Sequence, residues 1–186
     1  MPALLQLFTG DITTLDVDAI VNAANAALSG GGGVDGAIHR AAGPGLLDAC
    51  RKLGRCAVGD AVLTPGFQLR ARFVVHAVGP VWRGGGSEEE AQLASCYRRS
   101  LELAAGVGAA SIAFPCISTG AYRFPPREAA RIALATTRTE APRQAAPRRI
   151  VFCCFDESDA RLYRARAGEL GIELAEVTEP TASRPR

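Results

Sequence analysis

The sequence predicts an α/β layered domain, and three observations carry that expectation. Short apolar runs alternate with longer amphipathic segments along most of the 186 residues. One run, residues 73–78, is apolar almost without interruption, as a strand buried on both faces of a sheet is. Two glycine-bearing loops are each reached from an apolar run and precede a helical pattern, and such sheets bind ligands beyond the carboxyl ends of their strands.

The elements follow in chain order. Residues 4–8 form a short strand, and Gly10-Asp11-Ile12-Thr13 turns the chain. Residues 19–22 form a second strand that runs into the first loop, Asn22-Ala23-Ala24-Asn25 through Gly30-Gly31-Gly32-Gly33-Val34-Asp35-Gly36. Residues 34–42 and 45–53 read as helices separated by Gly43-Pro44. Residues 61–64 and 73–78 are strands, and 83–87 (Arg-Gly-Gly-Gly-Ser) reads as a flexible surface loop. The clearest helix covers 88–105: Ala94, Tyr97, Leu101 and Ala104 share a face, and three glutamates stand at the positive end of its dipole. Residues 111–114 form a strand that feeds the second loop, Pro115-Cys116-Ile117-Ser118-Thr119-Gly120-Ala121-Tyr122-Arg123-Phe124-Pro125. Pro126, at an early helical position, opens a helix to about 139. Residues 150–155 give a further strand and 160–170 a last helix. The stretch 179–186 is expected to be a disordered tail, leaving 1–178 as one domain.

Composition narrows the function classes. A hydrophobic content of 48% and a charged content of 22% fit a soluble globular domain with a substantial core. A formal charge of +2 gives no field for a nucleic-acid or membrane partner, and no run has transmembrane length. The start, Met1-Pro2-Ala3-Leu4-Leu5-Gln6, lacks the basic and apolar regions of a signal peptide, so a cytoplasmic protein is expected. Six cysteines, none in a C-x-x-C pair, read as free thiols of a reducing compartment. His39 and His76 have no metal-ligand spacing with a cysteine or carboxylate, so no metal and no cofactor are expected.

Four consecutive glycines cost backbone entropy and bury no side chain. Their use is close approach of backbone N–H groups to a ligand at a helix start, where the dipole favours an anion. Ser118-Thr119-Gly120 is a second such place, and two sites suit a diphosphate. Beside the glycines stand Asn22, Asn25 and Asp35. The asparagines can shape a turn or recognise sugar hydroxyls through amides that donate and accept. Asp35 can cap the helix or hold and activate a water. Asp11 reads as a turn or cap residue, or as an acceptor for an exocyclic amine. Phe155 reads as core before it reads as a stacking ring. Tyr122, among glycine and small residues, suits the wall of a sugar site. His39 follows Asp35 by one helical turn and reads as structural; His76, in an apolar strand, reads as a satisfied core histidine. No Walker loop, dinucleotide fingerprint or serine-hydrolase elbow is present.

Gly10-Asp11-Ile12-Thr13, Asp18-Ala19-Ile20-Val21-Asn22-Ala23-Ala24-Asn25, Gly30 to Asp35 with Ile38-His39-Arg40-Ala41-Ala42-Gly43-Pro44, His76-Ala77-Val78-Gly79-Pro80 and Cys116-Ile117-Ser118-Thr119-Gly120 occur in this order. Together they resemble a macrodomain of the MacroD-type branch, and the resemblance runs from about Leu4 to Leu170. It implies a three-layer α/β/α sandwich with a mixed central sheet and an ADP-ribose cleft. It implies Asp11 on the adenine amine, Ile12 beside the base and Phe155 stacked on it. It implies the loop of Gly32, Gly33 and Val34, and that of Ser118, Thr119, Gly120, Ala121 and Tyr122, around the diphosphate. Asn22 is included among the ligand residues. Asn25 and Asp35 are implied at the distal ribose as the catalytic pair, with Tyr122 against that sugar. Ala121 and Arg123 depart from the family, which usually has a β-branched residue and a glycine there. The activity implied is removal of mono-ADP-ribose from aspartate or glutamate esters and deacetylation of O-acetyl-ADP-ribose by a metal-independent, monomeric hydrolase. Its partners would be ADP-ribose, ADP-ribosylated proteins and O-acetyl-ADP-ribose, with nucleic acid only as an ADP-ribosylated substrate. The alternative is a reader that binds ADP-ribose without turnover; the pair Asn25 and Asp35, which binding-only members tend to lack, separates the two. An RNA- or polymer-binding role is disfavoured by the low net charge and the lack of a basic-aromatic stripe.

Overall fold

In a computed structural model, which describes residues 3–177, seven strands form one sheet in the order β3-β4-β2-β5-β6-β1-β7. The strands are β1 (Leu4–Thr9), β2 (Ala19–Ala23), β3 (Ala61–Pro65), β4 (Phe73–Ala77), β5 (Ser111–Phe114), β6 (Arg149–Cys154) and β7 (Ala175–Val177). All neighbours pair in parallel except β3 with β4, so the sheet is mixed. The helices are α1 (Gly33–Ala42), α2 (Pro44–Leu53), α3 (Glu89–Gly106), α4 (Pro126–Glu140) and α5 (Glu157–Leu170).

The period-2 alternation of strand side chains assigns the layers. Val21, Val75, Ile112, Phe114, Ile150 and Phe152 point to one face and pack against Leu93, Tyr97 and Leu101 of α3, Leu134 of α4 and Tyr163 of α5. Ile20, Val74, Ala113 and Val151 point to the other, against Ile38 and Ala42 of α1 and Leu46 of α2. Cys153 and Cys154 thereby join opposite cores, and none of the six cysteines is in a disulfide. The result is the three-layer α/β/α sandwich that the resemblance implied, within the layered α/β class that the pattern predicted.

Several boundaries differ from expectation for identifiable reasons. The last helix starts at Glu157 rather than 160 because the Asp156 carboxylate caps it, accepting from the N–H groups of Ser158 (2.9 Å) and Asp159 (3.1 Å). Residues 12–14 form one 3₁₀ turn capped by Asp11. β7, only three residues long, has no sequence period to reveal it. The 83–87 loop is not free among the described residues: the Glu89 carboxylate accepts from the N–H groups of Arg83, Gly85 and Ser87. The expected tail, 179–186, lies outside the described residues. Asp18 ties β2 to β5, accepting from the N–H groups of Ala110 (2.9 Å) and Ser111 (3.1 Å). No described helix is long and apolar enough to cross a membrane.

Candidate active site

Both loops leave the carboxyl ends of parallel strands, the first after β2 and the second after β5, which are neighbours in the sheet. They therefore open on one side and border a cleft of about 960 Å³. Its lining includes Asp11, Ile12, Asn25, Gly32, Gly33, Val34, Asp35, Ser118, Thr119, Gly120, Ala121, Tyr122 and Phe155. Each of these was expected there from the sequence or its resemblance.

The N-terminus of α1 supplies one anion site. Gly32 is the N-cap, with no side-chain cap bond, so the N–H groups of Gly33, Val34 and Asp35 stay available at the positive end of the dipole. The second loop supplies another. Its N–H groups at Gly120, Ala121 and Tyr122 donate to nothing among the described residues, while Phe124 N–H closes the turn on the Ser118 carbonyl at 2.9 Å. Ser118 has φ of 66° and is buried. Gly79 makes its position attainable: a Cβ at Gly79 would lie 2.1 Å from Ser118 Oγ and 2.7 Å from Ile117 Cγ2. This accounts for the glycine in the run His76-Ala77-Val78-Gly79-Pro80. Arg123, where a glycine was the family expectation, also has positive φ, 57°.

Asp35 is 6% exposed and faces the cleft from the first turn of α1. Its two oxygens are treated differently. Oδ1 accepts from Asn22 Nδ2 at 2.7 Å and lies 3.3 Å from His39 Nε2. Oδ2 lies against Gly31, where a Cβ would come within 3.2 Å, and accepts no hydrogen bond from the described residues. One oxygen is anchored and the other is left for a water or ligand.

Asn22 corrects one expectation. It does not touch the cleft; it is fully buried, and its amide donates to Asp35 and to His76 Nδ1 (3.2 Å). Period 2 explains this, since Asn22 shares the face of Ile20, which packs under α1. Asn25 does reach the cleft, but its amide also shapes the loop. Nδ2 donates to the Gly30 carbonyl at 2.9 Å, and Oδ1 accepts from Ser29 N–H at 3.2 Å. Asp11 takes the cap reading: Oδ1 accepts from Thr13 N–H (2.9 Å) and Thr13 Oγ1 (2.8 Å), and the residue lines the cleft. Phe155 is 83% exposed at the cleft rim, so the core reading of that ring does not hold. His76 is a satisfied core histidine, as expected, with Nε2 2.9 Å from Thr64 Oγ1.

Sequence reasoning missed Arg40, Asp156 and Asp159 at the rim and Cys116 and Cys153 in the wall. Asp156 and Asp159 had a signal, because they follow Phe155 at the start of a helix. Cys116 stands in the second loop itself, and Cys153 stands near the carboxyl end of the neighbouring strand β6.

Residues 21–133 match the family model described as Macro domain. The chain is 59% identical over 159 residues to a macro domain-containing protein of Mesorhizobium japonicum, an alignment that covers 86% of this chain and 90% of that protein. It is 55% identical over 179 residues to an O-acetyl-ADP-ribose deacetylase of Salmonella newport, covering 94% of this chain and all of that protein. Among solved structures it is similar to a mutant of the Oceanobacillus iheyensis macrodomain with ADPR (TM-score 0.84, 42% identity, 88% of this chain and 91% of that one). It is also similar to a Trypanosoma brucei macrodomain in complex with ADP-ribose (TM-score 0.80, 46% identity, 86% of this chain and 67% of that one).

Proposed function

The chain belongs to the macrodomain family, and from that premise we propose that it is an ADP-ribosyl esterase. It deacetylates O-acetyl-ADP-ribose and removes mono-ADP-ribose from aspartate or glutamate esters. The observation that carries the reading is the divided carboxylate of Asp35, a residue that lines the cleft: Oδ1 is held by Asn22 and His39, and Oδ2, beside Gly31, accepts no hydrogen bond from the described residues. A binding module has no need of a buried, oriented base beside an anion site, where its charge opposes the ligand's.

The residues divide the work. The N–H groups at the start of α1 and in the 118–122 loop hold the diphosphate. Phe155 supplies a face for the adenine ring and Asp11 an acceptor for its amine. Tyr122 and Asn25 border the distal ribose. Both reactions hydrolyse an ester carried by that sugar. A water attacks, Asp35 Oδ2 takes its proton, and that proton goes to the departing oxygen, so the carboxylate returns to its starting form. Side-chain positioning makes the attack effectively unimolecular. No step calls on a metal. The salmonella relative's name supports deacetylation, and the same ester chemistry extends the reading to modified carboxylate side chains.

The test is mass spectrometry of the purified protein with O-acetyl-ADP-ribose and, separately, with a glutamate-linked mono-ADP-ribosylated peptide. Free ADP-ribose from both is expected. Tight ADP-ribose binding with neither substrate cleaved would leave a reader instead.

A further inference from the structure

Behind the cleft, three polar side chains cross an otherwise apolar layer. The faces of β2 and β4 that look toward α1 and α2 carry Ile20 and Val74, and then Asn22 and His76, which are register partners. Val62 of β3 pairs with His76, so Thr64 is its diagonal neighbour on the same face. Asn22, His76 and Thr64 are 0%, 1% and 3% exposed. They are joined in sequence: Asp35 Oδ1 to Asn22 Nδ2 at 2.7 Å, Asn22 Nδ2 to His76 Nδ1 at 3.2 Å, His76 Nε2 to Thr64 Oγ1 at 2.9 Å.

The direction of these bonds is set at the Asp35 end. A carboxylate oxygen only accepts, so the nitrogen of the Asn22 amide faces it. The second N–H of that amide then needs an acceptor, and an unprotonated Nδ1 of His76 supplies it. His76 therefore carries its proton on Nε2 and donates to Thr64 Oγ1. Burial first, and His39 second, hold the His76 pKa down to about 4, so the ring is neutral at ordinary pH. The Cys50 thiol beside it, pushed up to about 11 by burial and then by Asp35, is neutral too. With the other tautomer two N–H groups would oppose each other. Asn22 would relieve this by turning its amide, which would point a carbonyl at a carboxylate. Asp35 would then lose the shorter of the two contacts, from Asn22 and His39, that hold Oδ1 and leave Oδ2 beside Gly31. Asn22 Oδ1 is itself buried and unpartnered among the described residues. A buried acceptor without a partner is costly, so the layer sacrifices one in keeping both N–H groups where they are.

We propose that His76 and Thr64 are positioning residues for the hydrolysis: acting through Asn22, they set which way Asp35 Oδ2 points. This rests on the catalytic reading of Asp35 given above. Thr64 is buried and does not line the cleft, so its effect should fall on turnover and not on affinity.

The experiment compares Thr64→Val, which keeps the shape and removes the acceptor, with Thr64→Ser, which retains it. Single-turnover hydrolysis of O-acetyl-ADP-ribose should slow about 10-fold in Thr64→Val, within the range for a slightly misplaced catalytic group. ADP-ribose affinity by calorimetry should stay within about twofold, because backbone N–H groups carry it. Thr64→Ser should recover most of the rate. His76→Asn, whose Oδ1 can stand in for Nδ1, should keep more activity than His76→Leu. In an Asp35→Ala background, Thr64→Val should slow the residual reaction no further. A wild-type rate in Thr64→Val, an affinity loss as large as the rate loss, or an undiminished effect without Asp35 would overturn the positioning role. An inert wild-type protein, or a fully active Asp35→Ala, would instead remove the Asp35 reading and this inference with it.

Discussion

Protonating His76 should unfold this protein's functional layer, and the size of that effect follows from its burial. The ring is 1% exposed, with Asn22 Nδ2 on one nitrogen and Thr64 Oγ1 on the other. Its pKa falls from 6.5 to about 4, through burial and then the His39 ring. His39 from α1 and Cys50 from α2 are the titratable groups that face it among the described residues, and Asp35 of α1 is joined to it through Asn22. Because the folded-state pKa is the lower one, the unfolded chain binds the proton first as pH drops. Above about pH 7 both states are neutral at this residue and it makes no contribution. Between pH 6.5 and 4 stability is lost, by about 2 kcal/mol at pH 5 and about 3 kcal/mol in full, at about 1.4 kcal/mol per pH unit. The assay is urea unfolding of wild type and His76→Asn at intervals from pH 7.5 to 4. The other ionisable groups are common to both proteins, so the difference between the two curves isolates His76. The variant should lose distinctly less stability over this range. Parallel curves would mean that His76 titrates alike in both states, and the neutral-ring argument would be wrong.

Three further outcomes are expected. Gly79→Ala should weaken ADP-ribose binding about 10-fold or more by calorimetry, since its Cβ would collide with Ser118 and Ile117 and displace the 118–122 loop at a cost of about 1–3 kcal/mol. Arg123→Gly should raise stability in urea melts by about 0.5–1 kcal/mol, because a left-handed φ of 57° strains any residue with a Cβ. Excess EDTA should leave turnover intact, and activity that disappears and returns with Mg²⁺ or Zn²⁺ would refute the metal-free step.

The sheet order was not written in any single segment, but the layer structure was legible because apolar period fixes which face a side chain takes. Leu5 and Leu7 go one way and Phe8 the other. The two loops were legible because glycines between a strand and a helix have few structural uses. What was illegible depended on contacts between distant segments. Asn22 read as a ligand residue because its amide stands where β2 runs into the first glycine loop. Only the pairing of β2 with β4 shows that Asn22 faces His76. Phe155 could not be placed by hydrophobicity, since one residue beyond the end of β6 turns a core ring into an exposed one. Arg123 concealed its left-handed backbone, which a glycine would have announced.

The most direct test of the central claim is a paired measurement on Asp35→Ala: single-turnover hydrolysis of O-acetyl-ADP-ribose beside calorimetric titration with ADP-ribose. The N–H groups of Gly33, Val34 and the 118–122 loop remain in this variant, so affinity should change far less than rate. With the Asp35 carboxylate gone from the cleft, the rate should fall by about 10²-fold or more, the scale of a positioned proton acceptor. Hydrolysis at the wild-type rate with unchanged affinity would contradict the account.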